Sequence, residues 1–384
     1  MSTQNQKRNK LVIFSVSAGA GHLRAAQALV AATRQWYPET DAVHIDLMEH
    51  VPHLFRKVYA DSYLKVVESH PALWGYLYDR SDQDKPNSGL NRLRRAIERL
   101  NTTKLARLLR ELQPDQIICT HFLPAELLAR KIRNGKLAVP VWVQVTDFDL
   151  HALWIQQKMN GYFAAHDEVA WRMAERGIPA DTIHVTGIPI MPAFDRQYDR
   201  ATCAAEFGLD PNRTTLLMMS GGMGVGGIEQ LAERLLQLKG DFQIVALAGR
   251  NEKLLTDLKV LAMQHPGRLF PLGFTTVIER VMAASDLAIT KPGGLTTSEC
   301  LAVGLPMIVV SPIPGQEERN ADFLLENGAA LKACDAGALA WRVQHLLDNP
   351  RRLAQLRQNA LNCGRPDAAR RVLATVLEIG RAHV

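Results

Sequence analysis

Twice along the chain a short apolar run passes through a glycine cluster straight into a helical pattern. The first is KLVIFSV (10–16), followed by SAGAGH (17–22) and a helical stretch to residue 36. The second is TTLLMMS (214–220), followed by SGGMGVGG (220–227) and IEQLAERLLQL. Strands that are apolar throughout are buried on both faces, which happens in parallel sheets covered by helices. Parallel neighbours need a crossover connection, and a helix supplies it. The remaining strand patterns obey the same alternation: DAVHIDL (41–47), DQIICT (115–120), VPVWVQVTD (139–147), QIVALAG (243–249), DLAIT (286–290) and PMIVVSP (306–312). Residues 337–378 read as helical, and prolines around TGIPIMPAFDRQ (186–197) separate the two series. At 384 residues the expectation is an α/β chain of two Rossmann-like, doubly wound domains.

Composition narrows the function. No apolar run approaches the roughly 18 residues of a membrane span, and MSTQNQKRNKLVIF has no apolar segment before the first strand, so neither spanning nor secretion is expected. The five cysteines are scattered without a CxxC pair, which predicts neither a disulfide framework nor a zinc site. Basic charge is uneven: residues 1–190 hold 24 Lys+Arg against 19 Asp+Glu, the remainder 21 against 20. The N-terminal half therefore suits a polyanionic partner, phospholipid or nucleic acid. Two segments favour lipid. HPALWGYLYDR (70–80) has the Trp/Tyr content of an interface. Residues 92–110 carry Arg92, Arg94, Arg95, Arg99, Lys104, Arg107 and Arg110 against Glu98, with Leu93, Ile97, Leu100, Leu105 and Leu108 near helical spacing, a basic amphipathic helix. Such a helix beside aromatics could sit on anionic lipid, and an ordinary Rossmann helix with a solvated face is the other reading.

Several motifs carry chemistry. In SAGAGH, Gly19 and Gly21 permit a tight turn and close backbone approach. Arg24 stands where a dinucleotide fingerprint would need its third glycine, so NAD binding is not expected. His22 falls at a helix N-terminus, whose dipole favours the neutral imidazole, and a neutral imidazole can serve as a general base. SGGMGVGG offers backbone N–H groups to a phosphate but lacks the Lys-Ser/Thr of an ATP-type loop. Asp147-Phe148-Asp149 has the form of a metal clamp, yet it ends a strand of the N-terminal half, and no metal is expected.

Motifs of this kind run nearly the length of the chain: SAGAGH, QPDQIICT, VTDFDLHALW, TGIPI, MSGGMGVG, AGRNEKL, GFTTVIERVMAASDLAITKPGG and PGQEERN. In order and spacing, about residues 10–335 resemble the processive diacylglycerol glucosyltransferases and the monogalactosyldiacylglycerol synthases. A more distant resemblance is to the peptidoglycan N-acetylglucosaminyltransferase. The resemblance implies the GT-B fold, two Rossmann-like domains facing a cleft. Residues 1–188 would bind acceptor and membrane and 189–364 the UDP-sugar donor, with a C-terminal helix of about 365–384 packing back on the first domain. It implies transfer of glucose or galactose from UDP, as a co-substrate and without a bound cofactor, to the hydroxyl of 1,2-diacylglycerol. The product would be β-linked, made by inversion at the cytoplasmic face of the membrane by a peripheral enzyme, and the lipid acceptor implies an anionic membrane surface as partner, with no nucleic acid.

Site roles follow by the same resemblance. Glu299 would accept from two ribose hydroxyls, and the backbone around Gly273 and Phe274 would bind uracil. Gly221, Gly222 and Gly224, with Gly293 and Gly294, would hold the diphosphate beside Arg250 and Lys291. Gln316 and Glu317 would bond the sugar hydroxyls. His22, then Asp147, are the candidate bases; His151 would serve positioning or proton relay, and Gly19, Gly21 and Trp154 the acceptor loop. Met191 stands where relatives commonly have an arginine, so one donor-phosphate contact is missing and falls to Arg250 or Lys291; Met223 stands where galactosyl-type relatives often have a glutamate, which leaves the sugar open. A non-glycerolipid acceptor and a UDP-sugar 2-epimerase on a similar scaffold are the alternatives.

Overall fold

The computed structural model describes residues 9–17, 19–50, 104–219 and 227–382. The chain forms two compact units, Met1–Pro192 with Asp367–Val384, and Ala193–Pro366.

The first unit contains β1 (Asn9–Ser15), α1 (Ala20–Trp36), β2 (Thr40–Asp46), β3 (Gln116–Cys119), α2 (Phe122–Arg133), β4 (Val141–Gln144), β5 (Gly161–Ala164), α3 (Asp167–Glu175) and β6 (Ile183–Val185). Its six strands are all parallel, in the order β2-β1-β3-β4-β5-β6. Alternation along β1 sends Val12 and Phe14 to one face and Leu11 and Ile13 to the other. The Val12 face is covered by Leu105 and Leu109 of the helical residues 104–112, by Leu123, Leu127 and Leu128 of α2, and by Val169 and Met173 of α3. Trp142 and Phe163 share the opposite face with Leu11 and Ile13, under Ala26 and Leu29 of α1.

Trp142 explains a glycine. Its indole donates to Gln116 Oε1 at 3.0 Å and stacks on Phe163, centroids 5.7 Å apart. Gly161 is its register partner, and a Cβ on Gly161 would lie 2.5 Å from Trp142 Cζ3 and 2.9 Å from the Thr182 carbonyl. Gly161→Ala is therefore expected to destabilise by about 2–3 kcal/mol, since neither the packed ring nor the backbone can retreat freely. A urea midpoint shifted down at unchanged slope is the outcome to look for, and an unshifted midpoint would refute it.

The second unit contains α4 (Arg200–Glu206), β7 (Thr214–Met219), α5 (Ile228–Leu236), β8 (Phe242–Gly249), α6 (Glu252–Gln264), β9 (Leu269–Gly273), α7 (Ile278–Ala283), β10 (Leu287–Thr290), α8 (Gly294–Ala302), β11 (Met307–Val310), α9 (Gln316–Glu326), β12 (Ala330–Ala333), α10 (Ala336–Asp348) and α11 (Pro350–Cys363). Its strands are again all parallel, ordered β12-β11-β10-β7-β8-β9. The last helix, α12 (Ala368–Ala382), belongs to the first unit, where Val372, Leu373, Val376 and Leu377 join the Leu11 face.

Both sheets are doubly wound α/β structures, as the alternation predicts. β5, β6, β9 and β12 are strands that the sequence pattern did not reveal, and the stretch read as 139–147 pairs only over Val141–Gln144. Residues 337–378 form parts of three helices; Pro350 opens the second of them, at a position where its missing N–H costs nothing. In each sheet the winding reverses once, between β1 and β3 and between β7 and β10. Ligands of open α/β sheets bind beyond the carboxyl ends of the strands at such a reversal.

Candidate functional site

At the reversal in the first unit, three strand ends converge on one imidazole. Gly19 turns the chain at φ 121°, a backbone region that favours glycine, and caps α1, which puts His22 in the first turn. His22 Nδ1 lies 3.0 Å from the carbonyl of Thr120, the residue after β3, and 2.8 Å from the hydroxyl of Thr146, beyond β4. The Thr120 hydroxyl in turn donates to the main-chain carbonyl of His22 at 3.0 Å. A carbonyl can only accept, so Nδ1 carries the ring proton and Nε2 the lone pair. Burial pushes the His22 pKa down to about 4, partly offset by the hydrogen bond to Thr120. The helix N-terminus invoked from sequence thus acts beside a desolvation that favours the same neutral form.

His121, unremarked in the sequence, stands edge-on to His22 with ring centroids 4.5 Å apart. It caps α2, its Nδ1 accepting from the Leu123 N–H at 3.0 Å. Burial holds its pKa well below the ordinary value, and the neighbouring His22 adds to the effect. The buried Trp154 ring lies 6.2 Å from His22 and 6.3 Å from His121, so the structure brings this expected acceptor residue to the cluster. His151, buried as well, caps the short turn Ala152–Trp154 through Nδ1. Thr146, which precedes Asp147 in the chain, reaches the His22 ring. Asp149 is committed to Arg172 in an ion pair of 2.5 Å. Gly21 occupies the second position of α1.

The second unit gathers its own cluster at strand ends. β8 and β9 pair Gly249 with Gly273, and the residues that follow meet: the Arg250 guanidinium sits 4.7 Å above the Phe274 ring, which is 58% exposed. Beyond β10, Lys291, Pro292 and Gly293 lead into α8, whose first residue is Gly294. Asn320 of α9 anchors this turn by donating to the Pro292 carbonyl at 3.0 Å. Glu317 approaches the same turn, with its Oε1 3.9 Å from a Cβ placed on Gly293. Its Oε2 accepts from the Ile313 N–H at 2.7 Å. Burial raises the Glu317 pKa, while that N–H and the Lys291 ammonium counter it. Glu299 lies on α8, 8% exposed, and Gln316 opens α9. Gly221, Gly222 and Gly224 lie outside the described residues, as do the segments 70–80 and 92–103. Among the described residues, no helix is long and apolar enough to cross a membrane.

Over 372 residues the chain is 30% identical to a processive diacylglycerol β-glucosyltransferase of Bacillus pumilus, covering 96% of this chain and 94% of that protein. The chain belongs to this glycosyltransferase family. A Bacillus cereus protein of the same description is 29% identical over 374 residues, covering 97% of this chain and 94% of its own. Residues 22–190 of this glycosyltransferase match the family described as monogalactosyldiacylglycerol (MGDG) synthase, and 228–372 the glycosyltransferase family 28 C-terminal domain. Among solved structures, MurG of Acinetobacter baumannii superposes with a TM-score of 0.64 at 16% identity, covering 96% of this chain and 99% of that one. UDP-GlcNAc 2-epimerase from Neisseria meningitidis, bound to UDP-GlcNAc, gives 0.60 at 13%, covering 96% and 100%. Likeness at these identities speaks to the fold, which is GT-B.

Thr120 and His121 were the residues missed in this glycosyltransferase. A signal was present: ICTHF sets two polar residues immediately after an apolar strand, where an α/β sheet places its ligands.

Proposed function

We propose that this glycosyltransferase moves a hexose, glucose or galactose, from a UDP-sugar to the free hydroxyl of 1,2-diacylglycerol. The product is a β-glycosyldiacylglycerol formed by a single inverting displacement, at the cytoplasmic face of the membrane, by a peripheral enzyme without a bound cofactor. The observation that carries the reading is the fixed His22 ring, neutral, with its proton held at Nδ1 and its Nε2 lone pair left for a substrate proton. In this reading residues 1–188 take the acceptor and 189–364 the donor. His22 Nε2 receives the hydroxyl proton as the oxygen attacks the anomeric carbon, and the C1–phosphate bond breaks with its electrons leaving on UDP. Arg250 and Lys291, with the N-terminus of α8, supply positive potential for the departing diphosphate. Glu299 accepts from the ribose hydroxyls, and Gln316 and Glu317 orient the sugar. The relatives, named for diacylglycerol glucosylation, favour the lipid acceptor over the epimerase reading.

The test is incubation with labelled UDP-glucose, UDP-galactose, UDP-glucuronate or UDP-N-acetylglucosamine and diacylglycerol vesicles, followed by lipid analysis. Label in a β-hexosyldiacylglycerol from the glucose or galactose donor is expected. Isomerised sugar without acceptor would replace this reading with the epimerase, and label in another lipid would replace the acceptor.

The depressed His22 pKa gives a pH signature. Because kcat/KM reports the free enzyme, its acid limb is expected near pH 4 rather than near the ordinary histidine value of 6.5. Stability moves with it. The unfolded chain takes up protons near 6.5 that the folded imidazoles refuse, so folding stability falls as pH drops from about 6.5 toward 4. An acid limb of kcat/KM at 6.5 would contradict this assignment.

A further inference from the structure

His22 and His121 have opposite polarity, and each is fixed by a partner that permits only one tautomer. The Thr120 carbonyl fixes the His22 proton at Nδ1, leaving an acceptor at Nε2. The Leu123 N–H at 3.0 Å fixes a lone pair at His121 Nδ1, so the neutral His121 ring carries its proton at Nε2. Protonating His121 at Nδ1 would break the cap of α2, and the residue is 2% exposed, so its neutral donor form is held by both hydrogen bonding and burial. The two rings come from different strand ends, His22 after β1 and His121 after β3, and stand at 83° with centroids 4.5 Å apart.

An alcohol needs both polarities at once, an acceptor for its proton and a donor for its oxygen. Among the described residues, two aromatic rings stand beside the pair. Phe122 lies 4.1 Å from the His121 ring and 6.0 Å from Trp154, which itself flanks both imidazoles. That combination fits a hydroxyl on an aliphatic carbon better than water, which would find few further partners along such a wall.

We propose that His121 is a catalytic residue of this site, its Nε2–H donating to the oxygen of the acceptor hydroxyl while His22 Nε2 takes the proton. The inference rests on the reading of His22 as the base. The O–H bond breaks and its proton goes to His22 Nε2. The electron pair of that bond forms the new C1–O bond, and the C1–phosphate pair departs on UDP. His121 keeps its proton throughout, so it orients the oxygen and steadies the charge that grows on it as the proton leaves.

The experiment separates this role from a mere helix cap. Asn is among the best N-caps, and its short amide can replace His121 Nδ1 but cannot reach as far as Nε2. His121→Asn is expected to keep the wild-type Tm and UDP affinity while kcat/KM for diacylglycerol in mixed vesicles falls by about 10- to 100-fold. His121→Gln, whose amide N–H extends to the Nε2 position, is expected to regain part of the loss, and His121→Ala none. If His121→Asn turns over like wild type while His22→Ala is inactive, His121 only caps α2 and the proposal is wrong. If His121→Asn loses thermal stability, the comparison of Gln with Ala decides: equal activities overturn the proposal, and a more active Gln variant supports it. Undiminished turnover by His22→Ala would instead remove the base reading beneath it.

Discussion

His22→Ala is expected to lower glycosyl transfer by about 10²- to 10⁴-fold, the usual contribution of a positioned general base, while UDP still binds. The ring is held rather than loosely placed. Thr120 grips it through the carbonyl that accepts from Nδ1 and through the hydroxyl that bonds the His22 main chain, and Thr146 adds a third contact. Removing the imidazole leaves those supports in position but takes away the lone pair to which the substrate proton would go. The residues proposed for the donor all belong to the other compact unit, so calorimetric titration with UDP should return the wild-type affinity. Turnover within a few-fold of wild type would take His22 out of the mechanism.

The second large effect concerns the donor. Glu299→Ala is expected to weaken UDP binding by about 10²- to 10⁴-fold, because a carboxylate that accepts from two hydroxyls forms charge-assisted hydrogen bonds of about 1.5–3 kcal/mol each. Its place on α8, just beyond the turn that Asn320 anchors at Pro292, means that the carboxylate is presented by a supported element. Glu299→Gln keeps one acceptor and should fall between wild type and the alanine variant. UDP affinity unchanged in both would show that the ribose is held elsewhere. A UDP affinity lost in step with Tm would show instead that Glu299 acts through the fold.

The double winding was legible wherever strands were Val/Ile/Leu-rich, because a two-sided burial environment leaves an unmistakable run. LVIF of β1, QIIC of β3 and FQIVALAG of β8 are of this kind. Ile183–Val185 and Ala330–Ala333 were not legible. Each is interrupted by a polar residue, His184 or Lys332, and so carries no apolar run of its own; pairing with β5 and β11 makes them strands. The site divides in the same way. His22 could be found because its glycine turn lies beside it in the sequence. Its contacts with Thr120 and Thr146 could not, since they span 98 and 124 residues and exist only once β1, β3 and β4 are side by side. His121 looked like any histidine opening a helix. Its meaning comes from a ring delivered by another strand.

The last helix has a consequence for how the protein is made. Residues 193–366 form the second unit from one uninterrupted stretch, which can close its core as soon as that stretch has left the ribosome. The first unit cannot. Leu11, Ile13, Ile118 and Trp142 are synthesised early, yet the side chains of Val372, Leu373, Val376 and Leu377 that complete their cover arrive only after the whole second unit. The half of the chain that is translated first is therefore finished last. A stop codon shortly before residue 368 would remove this helix and leave an open apolar face on a unit whose strands were all made long before.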